Sequence, residues 1–335
     1  MARDRRTYST SRRGFCRASI GILIAPGIAV AQASKVIRRI GVLEPGEPDK
    51  PEDYRKQDEP LRELGWVEGQ NLQVERRYGN GRPERLQALA EELVRAKVEI
   101  IVTGGTPATL AAKRATTTIP IVIRTSGDPV LLGLVASLAR PGGNVTGFSD
   151  ATTEVIAKRL SLLKELLPRL QRVGMMWEAG NPYVRAARSQ FDRVCQSLDL
   201  EPITIEISAA SKFDEAIAQI ARQRAQVLLL PGSSLVYDHR FEIVGSATKH
   251  GLPTVADDET MVREGGALIT YTSTDAEQSR VRADYIDRIL RGAKPADLPV
   301  RQPTQFVLVI NLKTAQALGL TIPKELLLRA DEVIQ

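Results

Sequence analysis

Val102-Thr103-Gly104-Gly105-Thr106-Pro107-Ala108-Thr109 carries an apolar strand, Val98–Thr103, straight into a helix, Thr106–Ala115. Two glycines permit a tight turn and close backbone approach. Thr106 suits the N-cap and Pro107 the first helical position. A strand passed so directly to a helix is the repeating unit of a parallel sheet covered by helices. Free N–H groups at such a helix start attract a carboxylate or other anion, and Thr103, Thr106 and Thr109 add hydroxyl donors. The same residues serve equally well as a plain βα turn with a capped helix. Neither GxxxxGK[ST] nor GxGxxG occurs, so a nucleotide-phosphate loop is not indicated.

Working outward, the alternation repeats. Before this unit lie a strand at Ile37–Leu43, a helix at Asp53–Leu64, a strand at Leu72–Tyr78 and a helix at Pro83–Ala96. After it come a strand at Pro120–Arg124 and a helix at Pro129–Ala139, stopped by Pro141-Gly142-Gly143. The rhythm then restarts. Helices are expected at Glu154–Leu167, Pro182–Leu198, Lys212–Arg224, Arg240–His250, Ala276–Leu290 and Leu312–Leu318. Strands are expected at Arg172–Trp177, Pro202–Ile207, Gln226–Leu230, Pro253–Ala256, Ala267–Thr272 and Phe306–Asn311. The reading is α/β, with two doubly wound, Rossmann-like parallel-sheet lobes joined by a hinge. The first lobe takes residues 34–143 plus about 274–335, and the second takes 144–273. In such a clamshell, ligands sit at the carboxyl ends of the strands.

The net charge of +6 belongs to the beginning of the chain. Arg3, Arg5, Arg6, Arg12, Arg13 and Arg17 against Asp4 put +5 on residues 1–33 and leave the body near neutral, which disfavours nucleic acid as a partner. Residues 11–33, SRRGFCRASIGILIAPGIAVAQA, have the order of a secretory signal: basic residues, the apolar stretch Ile20–Val30, then small residues spaced A-x-A. Ser11-Arg12-Arg13-Gly14-Phe15 adds a twin-arginine-like motif, so export by the twin-arginine route to the periplasm is expected. After cleavage nothing is apolar enough to span a bilayer. Cys16 precedes the apolar stretch, unlike a lipid-attachment cysteine, and Cys195 falls on the apolar side of a helical pattern as a packed small residue.

Candidate ligand contacts cluster at predicted strand ends. Asp128, in Thr125-Ser126-Gly127-Asp128-Pro129, is either a cap or an acceptor for an ammonium or hydroxyl group. Trp177 and Asn181, in Trp177-Glu178-Ala179-Gly180-Asn181-Pro182, and Ser233 and Ser234, in Pro231-Gly232-Ser233-Ser234, hold the corresponding places in the second half. Trp177 offers either a flat face for a cyclic ligand or a capping core aromatic. Asp257 and Tyr271 complete the set, with Asp258 beside Asp257. Catalytic groupings are scarce. The two histidines, His239 and His250, lie in a helical segment, and CxxC, HExxH and GxSxG are absent. Adjacent Asp257 and Asp258 on a strand point to opposite faces, which disfavours a paired acid and base. No enzyme activity, metal or cofactor is expected.

Leu61-Arg62-Glu63-Leu64-Gly65-Trp66-Val67-Glu68-Gly69-Gln70-Asn71-Leu72, Thr106-Pro107-Ala108, Lys113-Arg114-Ala115-Thr116 and Gly127-Asp128-Pro129-Val130 together resemble one family. The long block Gly133-Leu134-Val135-Ala136-Ser137-Leu138-Ala139-Arg140-Pro141-Gly142-Gly143-Asn144-Val145-Thr146-Gly147 makes the likeness specific. It is similar to the ABC-transporter substrate-binding proteins of the tryptophan/tyrosine type, which share the type I periplasmic-binding fold. The resemblance covers about residues 37–330. It implies a monomer that captures a small organic solute, amino-acid-like or aromatic and carboxylate-bearing, and delivers it to the membrane permease of an importer. It also implies solute contacts at Gly105, Thr106, Asp128, Asn181, Ser233, Ser234 and Asp257, hydroxyls and N–H groups taking a carboxylate and an acid taking an ammonium. A sensor presenting ligand to a membrane receptor is the alternative. A hydrolase or racemase using Asp128 or Asp257 is a further one.

Overall fold

The computed structural model describes residues 37–150, 152–178 and 180–335. The leader, with its twin-arginine-like motif and Cys16, lies outside the described residues.

The first half of the body contains β1 (Arg38–Glu44), α1 (Pro51–Glu63), β2 (Leu72–Tyr78), α2 (Leu86–Arg95), β3 (Ile100–Gly104), α3 (Gly105–Ala115), β4 (Ile121–Thr125) and β5 (Val145–Gly147). The second continues with α4 (Thr152–Leu166), β6 (Arg172–Glu178), α5 (Pro182–Ser197), β7 (Glu201–Ile207), α6 (Phe213–Arg222) and β8 (Val227–Leu229). Then follow α7 (Ser234–Asp238), α8 (Arg240–Lys249), β9 (Thr254–Ala256), α9 (Glu259–Arg263) and β10 (Ile269–Ser273). The chain closes with α10 (Asp275–Leu290), β11 (Phe306–Asn311), α11 (Leu312–Ala317), α12 (Lys324–Arg329) and β12 (Glu332–Ile334).

Two sheets result, ordered β2-β1-β3-β4-β5 and β12-β11-β10-β9-β8-β6-β7. All pairings of the first sheet are parallel. β3 is buried at every position, as a strand covered on both faces must be. β2, at the edge, buries only Leu72 and carries Glu75, Arg76 and Arg77, a charge pattern that discourages edge pairing. Helices follow from apolar residues at helical spacing: Leu86, Leu89, Ala90 and Leu93 form the inner face of α2, and Phe213, Ala216, Ile217 and Ile220 that of α6. Each sheet therefore separates two apolar layers. In the first, α2 and α3 pack on one face and α1 and α10 on the other. In the second, α4 and α5 lie opposite α6 and α8. This is the expected pair of doubly wound lobes.

Strand pairing assigns the tail differently from the sequence reading. α10 covers the first sheet, its Val281, Tyr285 and Ile286 joining the layer with Leu61 of α1. β11 then pairs antiparallel with β10, and β12 pairs with β11, so residues 306–334 complete the second sheet rather than the first lobe. β5 also belongs to the first sheet, which places the passage between sheets after Gly147 instead of at residue 143. The connecting segments lie side by side: Ser149 N donates to Arg301 O (2.8 Å) and Arg301 N to Gly147 O (2.9 Å). The helix expected at Pro129–Ala139 is a run of turns, because Gly133 adopts a left-handed φ of +64° that breaks the helical progression. Cys195 is buried in the α4–α5 layer and desolvation lifts its thiol to about 12, consistent with a packed, unreactive side chain. Among the described residues no helix is long and apolar enough to cross a membrane.

Candidate functional site

The carboxyl ends of the central strands from both sheets open into one cavity of about 1080 Å³. The lobes approach closely across it. A Cβ added to Gly127, after β4, would fall 2.3 Å from the Tyr183 ring of α5. One added to Gly46, after β1, would fall 2.9 Å from Asp238 Oδ2 of α7, and Glu47 N lies 3.4 Å from the same oxygen.

Five of the residues singled out in the sequence line this cavity: Gly105, Thr106, Ser233, Ser234 and Asp257. Gly105 has φ +75°, which explains the second glycine of the pair. Helix α3 begins at Gly105 with Gly104 as its N-cap, so Thr106 is not the cap expected from the sequence. The buried Thr106 hydroxyl instead shares a 2.9 Å hydrogen bond with Ser126, tying the start of α3 to the end of β4. Ser233 caps α7, its hydroxyl accepting from Val236 N at 3.2 Å, and Ser234 opens that helix under Gly46.

The other four candidates do not line the cavity. Asp128 spends one carboxylate oxygen on the turn, accepting from Val130 N (2.9 Å) and Leu131 N (3.0 Å). Asn181 caps α5 by accepting from Tyr183 N at 3.1 Å. Trp177 is half-buried beneath the guanidinium of Arg188, 4.9 Å from its ring centre. Tyr271 stacks on Phe306 with ring centres 5.2 Å apart and faces a separate cavity of about 260 Å³. In each case a local polar or aromatic partner satisfies the side chain and turns it from the cleft.

Asp257 is held by a residue that sequence reasoning missed. Arg159 of α4 is only 4% exposed, yet it pairs with Asp257 Oδ1 and also donates to Tyr271 O (2.8 Å) and Asp257 O (3.2 Å). Its signal was present: Ile156, Arg159, Leu160 and Leu163 share the spacing of one buried helical face. The remaining Asp257 oxygen projects past Gly232, where a Cβ would lie 1.9 Å from it.

On the first lobe, Glu44 at the end of β1 receives Arg124 Nη2 from the end of β4 at 3.0 Å. Glu44 raises the Arg124 pKa, while burial pushes Glu44 itself upward against the pull of Arg124. Asp150, which accepts from the Thr125 hydroxyl at 2.5 Å, is raised by desolvation to about 7. Desolvation also lifts Asp238 to about 6, opposed by the Glu47 N–H.

These shifts set a pH dependence. A carboxyl raised on folding binds its proton more tightly in the folded chain. The Asp150 contribution to stability is therefore full below its ordinary value of 3.8 and lost as pH rises to about 7. Urea denaturation at pH 5 and pH 8 should show a larger loss for the native chain than for Asp150→Asn, whose amide does not titrate. Equal losses would exclude this role for Asp150.

Comparison with known proteins places the chain among solute-binding proteins. Residues 50–334 match the family model described as ABC transporter substrate binding protein. A tyrosine-binding protein of Clostridioides difficile is 27% identical over 261 residues, covering 78% of this chain and 74% of the relative. The crystal structure of a conserved domain protein from Vibrio cholerae superposes with a TM-score of 0.83 at 26% identity, covering 88% of this chain and 99% of that one. The structure of an ABC domain in complex with L-Trp, from Streptococcus pneumonia, gives 0.80 at 25% identity, covering 89% and 100%.

Proposed function

The chain belongs to the ABC transporter substrate binding proteins, and from that premise we propose that it captures a small amino-acid-like solute between its lobes and delivers it to an importer permease. The observation that carries this reading is the shared cavity: strand-end loops of both sheets converge on it, and Asp257 enters it with one oxygen anchored by Arg159 and the other projecting inward. A carboxylate so placed suits a solute ammonium. The names of two relatives, one tyrosine-binding and one with L-Trp bound, support an amino-acid-like solute. The leader supports an exported protein that works in the periplasm after twin-arginine transport. Closure follows if the solute binds the closed arrangement more tightly than the open one.

A thermal-denaturation screen of amino acids and aromatic carboxylates tests this. A solute at 100 times its Kd should stabilise the chain by about 2.7 kcal/mol and compact it in X-ray scattering. A stabilising solute that leaves the scattering profile unchanged would refute closure. The tight approach at Gly127 provides a second check. Gly127→Val, whose side chain would meet the Tyr183 ring, should hold the lobes apart and lower affinity about tenfold, or about 1.4 kcal/mol. Titration calorimetry reads this directly, and wild-type affinity in the variant would mean that Tyr183 and Gly127 separate in the bound state.

A further inference from the structure

The cleft's charge goes beyond what a neutral zwitterion requires. Resting on the solute-binding reading above, we propose that the natural solute is an organic compound with two cationic groups, a basic amino acid or diamine, whose positive groups are taken by the carboxylates of the second lobe.

The first observation concerns the helix start that would hold a solute carboxylate. A Cβ on Gly104, the N-cap of α3, would lie 1.7 Å from Glu44 Oε2. The Glu44 carboxylate thus rests on the backbone that opens α3, fixed there by Arg124. An incoming carboxylate finds that place filled by Glu44, and the nearest cation, Arg124, already paired, where the bare sequence suggested an anion cradle.

The second observation is independent and lies across the cleft. Asp238 and Asp258 line the cavity half-buried, and among the described residues neither has a lysine, arginine or histidine nitrogen within 4.0 Å. Asp238 receives the Glu47 N–H, and Asp258 caps α9 by accepting from Thr260 N at 2.7 Å. Asp257 adds the oxygen that Arg159 leaves toward the cavity. The cavity's paired arginines do not offset Asp238 and Asp258, because they are committed to other acids. Arg124 pairs with Glu44, Arg159 with Asp257, Arg240 with Glu264 and Arg263 with Glu259. Arg282 is turned to Asp58. Lys50, Lys56 and Arg280 line the same cavity without an ion pair, but they are solvent-exposed, where water and salt screen them. Aromatic stacking surface is sparse too: Tyr183 and Tyr237 are the aromatic side chains on the lining. Desolvation raises both Asp238 and Asp258, as expected of acids enclosed without a counter-ion.

The test uses the full chain and titrates L-arginine, L-ornithine and putrescine against L-tyrosine, L-tryptophan and benzoate, by calorimetry and thermal denaturation. At least one of the first three should bind ten times more tightly than any of the other compounds. That preference should weaken when NaCl rises from about 50 to 500 mM, because screening shortens the reach of the cleft's charges. Asp258→Asn should lower the affinity for that compound about tenfold; if it fails to fold, Asp238→Asn replaces it. Tighter binding of L-tyrosine, L-tryptophan or benzoate overturns the proposal and leaves the solute-binding reading standing. Binding by no compound in the panel overturns both.

Discussion

Arg159→Ala should lower the unfolding free energy by about 3–5 kcal/mol, the cost of removing one partner from a buried ion pair. Arg159 is buried on the inner face of α4, and three acceptors meet its guanidinium: a carboxylate oxygen and the main-chain carbonyls of Tyr271 and Asp257. Truncation strands all three. It also empties the space of a large side chain in a layer that holds Ile156, Leu160 and Leu163. The planar fork of arginine reaches several acceptors at once, whereas lysine supplies a single point of donation. Arg159→Lys should therefore recover only part of the loss. Urea denaturation measures the effect. A loss below about 1 kcal/mol, the range of exposed ion pairs, would show that solvent reaches this pair and that Asp257 is not anchored by it.

Asp257→Asn separates charge from scaffold. The asparagine oxygen can still accept from Arg159, so the fold should persist with a modest change in melting temperature. Yet the group facing the cleft becomes neutral. The expected consequence is a 10- to 100-fold loss of solute affinity, about 1.4–2.8 kcal/mol, which matches the gap between charge-assisted and neutral hydrogen bonds. Calorimetry on the best-binding compound of the panel reads it. Unchanged affinity with unchanged stability would remove Asp257 from the binding surface and shift attention to the α7 end of the cavity, where Ser233, Ser234 and Asp238 lie.

How far the site was legible depended on the range of the interactions involved. Gly105, Thr106, Ser233, Ser234 and Asp257 were reachable from sequence because a strand end followed by a helix start places them at the cleft by topology alone. Asp128 and Asn181 occupy the same kind of position, but each satisfies backbone N–H groups two or three residues ahead. Residue type does not distinguish such a cap from a ligand contact. Trp177 and Tyr271 were attractive as aromatics at strand ends, and their partners, Arg188 and Phe306, approach from α5 and β11. Glu44 and Arg124 went unnoticed because each looks like an ordinary charged residue closing a strand until the sheet sets β1 and β4 on either side of β3.

The sequence by itself determined the α/β alternation, most strands and helices to within a few residues, and a restart of the alternation near residue 143, a few residues before the two sheets actually divide. These follow from apolar periodicity and from glycine and proline stops, which act over a few neighbouring residues. Tertiary structure alone decided that β11 runs antiparallel beside β10, that Arg159 reaches Asp257 from 98 residues away, and that Glu44 fills the opening of α3. Such contacts join residues whose neighbours in the chain carry no imprint of one another. They exist because two independently formed layers are brought face to face, and a charge as deeply buried as Arg159 then requires a partner through space.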